Sequence, residues 1–208
     1  VVDGVQPTQP TFGLRGISTD DFGIGTDPAV GIYVDGVYGG RGGGVLLPFI
    51  DVDRIEVLKG TQGTLFGQNS TGGAINYIAA KPTDAFEAGF NLDYGRFNEV
   101  HGTAYLSGPV SETLGMRLAI DAAHRDNWQY NYTRKDSNGE QNYFAARLVT
   151  VWKPTDRLRF ELNLNGSIDK SDPQALQIIA SMPSDPTAPT LEELTAPLSP
   201  RKLRAANW

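Results

Sequence analysis

The stretch DVDRIEVLKGTQGTLFGQNSTGGAINYIAAK, residues 51–81, decides how the rest of the chain is read. Arg54-Ile55-Glu56-Val57-Leu58-Lys59 is a short β-prone run that stops at Gly60. Gly63, Gly67, Gly72 and Gly73 punctuate the residues before a second β-prone run, Ala74 to Ile78. Glycine tolerates backbone angles that other residues avoid, so this density predicts tight, specific chain reversals and not a helix.

Upstream, the chain alternates β-prone fragments with loops. Phe12-Gly13-Leu14-Arg15-Gly16-Ile17 is a short strand, followed by a polar loop from Ser18 to Asp27. In Val30-Gly31-Ile32-Tyr33-Val34-Asp35-Gly36-Val37-Tyr38, the Asp-Gly pair between β-formers predicts a hairpin. Residues 39–44, Gly-Gly-Arg-Gly-Gly-Gly, read as a flexible loop.

Downstream of residue 86 the texture changes to period-two alternation. Phe86, Ala88, Phe90, Leu92 and Tyr94 alternate with polar or small residues, as do Leu114, Met116, Leu118, Ile120 and Ala122. Leu158, Phe160, Leu162 and Leu164 do the same. Residues 99–107 and 142–152 alternate less cleanly; in the latter Phe144, Ala146, Leu148 and Trp152 fall on the apolar face and Arg147 on the polar one. Strands of about 9–11 residues match a tilted bilayer crossing, whereas strands of soluble proteins are nearer five or six. The turns 108–113 and 153–156 are short, while 124–141 and the region beyond 168 are long and polar. That asymmetry is the layout of an outer-membrane barrel, and Tyr94, Phe97, Trp128, Tyr130, Tyr132 and Trp152 suit its interfacial girdles. Only five such strands are present, fewer than the roughly eight of the smallest closed barrel. Val1-Val2 opens inside a strand-like run and Trp208 closes a Pro-rich region, so the sequence reads as a piece of a longer chain. A soluble antiparallel sheet with one wet face is the competing reading.

Composition narrows the chemistry. A net charge of −6 without a basic stripe argues against nucleic acid as partner. The absence of cysteine excludes disulfides and Cys-ligated metal. No glycine loop is followed by the Lys-Ser/Thr of a Walker sequence, and Gly23-Ile24-Gly25 does not continue as a dinucleotide fingerprint. His101 and His124 lack a second ligand at metal spacing, and no nucleophile elbow is present. Neither an enzyme nor a cofactor or metal site is expected.

Arg15, Glu56 and Lys59 sit among apolar residues, where an unpaired buried charge would cost several kcal/mol. They are read as parts of an ionic latch, the alternative being that they line a solvated edge.

Phe12 to Ile17, Ile32 to Tyr38, Asp53 to Gly67 (DRIEVLKGTQGTLFG), Ser70 to Asn76 and the Lys81-Pro82 that follows together resemble the plug domain of TonB-dependent outer-membrane receptors of Gram-negative bacteria. Lys59 departs from the pattern, where Arg is commoner; it keeps the charge but loses bidentate geometry. The resemblance implies a mainly β fold: a plug of short mixed strands over 1–82, then from 83 to 208 the first five or so antiparallel strands of a barrel of about 22. It implies a receptor in the outer membrane, amid its lipid and lipopolysaccharide. Such a receptor takes up a scarce small-molecule or oligosaccharide ligand, a ferric siderophore for example, energised by TonB and its inner-membrane complex. By this analogy Phe22, Tyr38 and Arg41 lie on plug apices facing the ligand, and Gly60, Gly63, Gly67, Gly72 and Gly73 serve as plug turns. The competing functions are a plugged outer-membrane protein used for docking or signalling without uptake, and a soluble β-rich adhesion module.

Replacing Glu56 by Ala is expected to destabilise or unseat this domain; an unchanged melting profile with unchanged transport would contradict the latch.

Overall fold

The computed structural model describes residues 2–3, 11–18, 28–39, 50–61, 63, 71–132, 134–172 and 205–206. Within them lie two main sheets. The first is built from β3 (Val30–Val34), β4 (Val37–Tyr38), β5 (Val52–Lys59) and β6 (Gly73–Ala79), in the order β4-β3-β6-β5. A short pair, β1 (Val2–Asp3) and β2 (Thr11–Phe12), precedes it. The second, antiparallel throughout, contains β7 (Glu87–Gly95), β8 (Glu99–Pro109), β9 (Leu114–Arg125), β12 (Gln141–Thr155) and β13 (Leu158–Asp169). Between β9 and β12, β10 (Gln129–Asn131) and β11 (Asp136–Asn138) form a small hairpin that also meets β14 (Ala205–Ala206).

The 51–81 stretch folds as the expected hairpin, β5 antiparallel to β6. Its second strand also pairs in parallel with β3, which makes the sheet mixed. Gly73 is the residue that permits this. Its φ of +144 disfavours any side chain, and a Cβ there would run into the Leu58 carbonyl oxygen and come 2.7 Å from Leu14. The Asp35-Gly36 turn has φ of +49 and +81, the left-handed pair that a two-residue hairpin of matching twist requires. Val30, Ile32, Ile75 and Tyr77 form this sheet's own apolar core, with Phe12, Leu14 and Val52 against it.

The five-stranded sheet sorts its side chains by register. One face carries the rows Ala88, Leu106, Leu118, Leu148, Leu164 and Phe90, Ala104, Ile120, Ala146, Gly166. Its apolar side chains stay exposed: Phe90 is 85% accessible, and Leu118, Ile120, Phe144 and Leu164 are exposed too. Across five strands this is far more contiguous apolar surface than a water-facing sheet displays, and it suits contact with lipid. The opposite face carries the rows Glu87, Ser107, Arg117, Val149, Asn163 and Gly89, Tyr105, Ala119, Arg147, Asn165. The first sheet meets that face at a few points, where Arg117, Ala119, Arg147 and Val149 are buried. The strands run from 9 to 15 residues. Connections 110–113 and 156–157 lie at one end, which also receives the chain from the first sheet; 96–98 and the long 126–140 lie at the other. The sequence reads 124–141 as a loop. The β10–β11 hairpin inside it escapes because three-residue strands are too short to show a period.

Placing Arg at Leu118 on the apolar face is expected to destabilise the folded protein in lipid vesicles by about 2–4 kcal/mol in a urea titration. Arg at Ser167, which faces the other way, should have much less effect.

Candidate functional site: the interface between the two sheets

Two arginines on neighbouring strands reach from the wall to one corner of the first sheet. Asp51, itself in a left-handed conformation at φ +50, accepts two hydrogen bonds from Arg117, from Nε and Nη2, both at 2.6 Å. This bidentate pair is nearly buried, with side chains 10% and 12% accessible, and the Arg117 guanidinium lies 4.1 Å above the Tyr105 ring. One position along β12, Arg147 is fully buried. It donates through Nη1 to the Ile50 carbonyl and through Nε to Asn165 Oδ1 at 2.7 Å. Ile50 packs on Ala119, Ala145 and Tyr105, so the corner is held by two charges and a small apolar contact. An arginine carries five N–H donors and a permanent charge; on an apolar, small-residue face it must find acceptors, and this corner supplies them.

A second tie lies two strands along, at Asn163 of β13 in the same cross-strand row as Arg117. Asp35 Oδ1 accepts from the Ala79 backbone at 3.1 Å and from Lys81 Nζ at 3.3 Å; Oδ2 accepts from Asn163 Nδ2 of β13 at 2.7 Å. Lys81 also contacts Glu161 of the same wall strand, and Glu161 takes Arg159 at 3.0 Å. Behind the turn, Asn76 Oδ1 accepts from Gly36 N at 3.0 Å while its Nδ2 donates to Glu56 at 3.1 Å. Polar contacts thus run unbroken from Arg54 through Glu56 and Asn76 to the turn, and from there to the wall.

The structure separates the three latch residues of the sequence reading. Glu56 bonds Arg54 at 2.9 Å and Asn76, both within its own sheet. Arg15 and Lys59 are exposed and make no ion pair among the described residues. Of the ligand-facing trio, Phe22 and Arg41 lie outside the described residues. Tyr38 is half-buried, its ring 5.4 Å from that of Tyr33, two residues past the turn that meets β13. Gly60 and Gly73 adopt positive φ; Gly72 packs against Ala29 and Ile17, Gly63 faces open space and Gly67 is not described. His101 bonds Asp121 at 3.0 Å, which also accepts from Tyr143; His124 is exposed, 3.4 Å from Asp126. Among the described residues no three His, Cys, Asp or Glu side chains could hold a metal together.

The sequence reading missed Asp35, Asp51, Lys81, Arg117 and Arg147. Its available signal was an Arg on the small-residue face of β9 and of β12. Burial pushes the Tyr77 phenol up to about 12. Its neutral form is the one the fold favours, so that contribution is whole below pH 10.0 and fades as the pH rises towards 12.

Residues 1–74 match the family model described as the TonB-dependent Receptor Plug Domain. Those residues belong to the plug-domain family of the TonB-dependent receptors. The chain is 34% identical over 125 residues to the ferripyoverdine receptor of Pseudomonas aeruginosa, covering 59% of this chain and 15% of that one. It is 33% identical over 105 residues to the pesticin receptor of Yersinia enterocolitica, covering 50% of this chain and 15% of that one. The chain therefore spans less than a fifth of the length of these relatives. Among solved structures, the ferric yersiniabactin uptake receptor of Yersinia pestis superposes with a TM-score of 0.64 at 26% identity, covering 80% of this chain and 26% of that one. The first sheet is plug, and the five-stranded sheet is the opening section of an outer-membrane barrel wall, apolar face to the lipid.

Replacing Arg117 by Ala strands Asp51 and is expected to cost about 3–5 kcal/mol. Arg117→Lys should recover only part of that, because Lys cannot bind both carboxylate oxygens through one plane. Urea unfolding of the lipid-embedded receptor measures both.

Proposed function

We propose that the complete receptor imports a scarce ligand of the ferric-siderophore class across the Gram-negative outer membrane. Residues 1–82 act as the plug that gates the lumen, and the chain from 83 begins the barrel of about 22 strands. TonB and its inner-membrane complex supply the energy. The observation that carries this reading is the character of the plug–wall interface. The plug keeps an apolar core of its own around Val30, Ile32, Ile75 and Tyr77. It meets the wall mainly through side-chain hydrogen bonds and ion pairs from Asp35, Ile50, Asp51 and Lys81. When such a contact parts, the plug keeps its own core and uncovers only the small Ile50 patch, as a gate requires. The names of the similar proteins, receptors for ferripyoverdine and an uptake receptor for ferric yersiniabactin, support the ligand class.

Phe22, Tyr38 and Arg41 remain the proposed ligand contacts, with Tyr38 also packing the hairpin on Tyr33.

A strain lacking the receptor, grown under iron limitation on a panel of hydroxamate, catecholate and mixed ferric siderophores, should lose uptake of one radiolabelled complex. Uptake should return with the intact gene and not in a TonB-deficient background. Retained uptake of every complex, with surface binding of one, would instead favour docking or signalling without import.

A further inference from the structure

The two plug–wall ties differ in what they leave behind when broken. Asp51 is held by a bidentate arginine stacked over Tyr105, and among the described residues Arg117 bonds no other carboxylate at the corner. Parting that pair strands a buried guanidinium. Asp35 is different. If it leaves, Lys81 keeps Glu161, and Glu161 keeps Arg159. Asn163 still accepts from Asn165 at 3.0 Å through Oδ1. Arg147, the buried charge that Asp35 also helps to offset, keeps Asp51, the Ile50 carbonyl and Asn165 Oδ1.

Lys81 itself stays with the wall, because the linker that carries it is fastened there. Thr83 N donates to Ser107 Oγ at 2.9 Å, and the Thr83 and Ser107 hydroxyls meet at 2.9 Å. Pro82 lies so close to Gly115 of β9 that a Cβ at that glycine would come within 3.0 Å of it. The turn bearing Asp35, by contrast, moves with the plug. Its backbone N–H bonds the Tyr77 carbonyl at 2.9 Å, and Gly36 bonds Asn76.

We propose that Asp35 is a releasable clasp: its carboxylate fastens the β3–β4 hairpin to Asn163 of the wall and to Lys81 of the linker, and its departure lets that hairpin leave β13 while Asp51 stays anchored to Arg117. Lys81 then rests on Glu161 until the hairpin returns. The inference rests on the plug being a gate, but its test needs neither ligand nor transport, so the two can fail separately.

Spin labels at Val37→Cys and Asp156→Cys in the full-length receptor, in native outer-membrane vesicles, report the gap between hairpin and wall. With Asp35 and Asn163 intact, one narrow distance is expected. Asp35→Asn sets an amide N–H2 against the donors of Asn163, Lys81 or Ala79, and should raise a second, longer population about fivefold or more. Asn163→Asp sets two carboxylates face to face and should do likewise. The exchanged pair D35N/N163D restores a donor–acceptor match, with the amide oxygen now at position 35 still serving Ala79 and Lys81, and should return the single narrow distance. If D35N does not reach the membrane, Asn163→Leu removes the same tie from the wall side and carries the same expectation. Narrow distances in the single variants overturn the clasp, as does an exchanged pair no narrower than the singles.

Discussion

A guanidinium on the inner face of a barrel strand cannot shed its charge, and the Arg117–Asp51 pair follows from that constraint. With Asp51 fixed to β9, β5 starts at a set height beside the wall. The β5–β6 register then places Ala79 opposite Val52, and the parallel β3–β6 register delivers the Asp35 turn to the level of Asn163. One bidentate contact therefore propagates through two strand registers to the second tie. Arg147, one row away, holds the adjoining Ile50 carbonyl and keeps the corner from pivoting.

The wall strands face two different media at once. Successive residues point to opposite faces, so the set containing Leu118 and Ile120 meets lipid while the set containing Arg117 and Ala119 meets the plug. The two faces obey different rules. Lipid rewards apolar bulk and asks for no specific partner, whereas the enclosed face must give every donor and charge a mate. The small residues Ala119, Ala123 and Ala145 on that inner face leave room for the plug corner and the long arginine side chains. The result is a plug with its own core, tied to the wall by polar bonds and the small apolar contact of Ile50.

Much of the fold was legible in the order of residues. Alternation revealed the five wall strands, less cleanly in two of them, and the apolar face of all but β8, because lipid selects for a regular pattern. Asp35-Gly36 gave the hairpin, and Gly60 and Gly73, both at positive φ, mark the end of β5 and the start of β6. The interface was less legible. Charges flanked by apolar neighbours suggested a latch of Arg15, Glu56 and Lys59, but flanking residues on a strand alternate faces and do not report burial. Among the described residues Glu56 pairs within its own sheet, and Asp35, Asp51 and Lys81 meet Asn163, Arg117 and Glu161 of the wall strands. Asp35 looked like an ordinary turn residue, since a left-handed Asp is common in turns for reasons local to the backbone, and nothing singled out Asp51.

The sequence by itself determined strand period, facing and turn chemistry, all properties of neighbours within a few residues. It also determined the family, through several motifs in fixed order. Tertiary structure alone decided the partners. Arg117 meets Asp51 across 66 positions of chain and Asn163 meets Asp35 across 128, and no local pattern encodes a distance of that kind. What selects these pairs is the geometry of enclosure: inside the wall a charge must be matched by whichever opposite group the folded registers bring within reach.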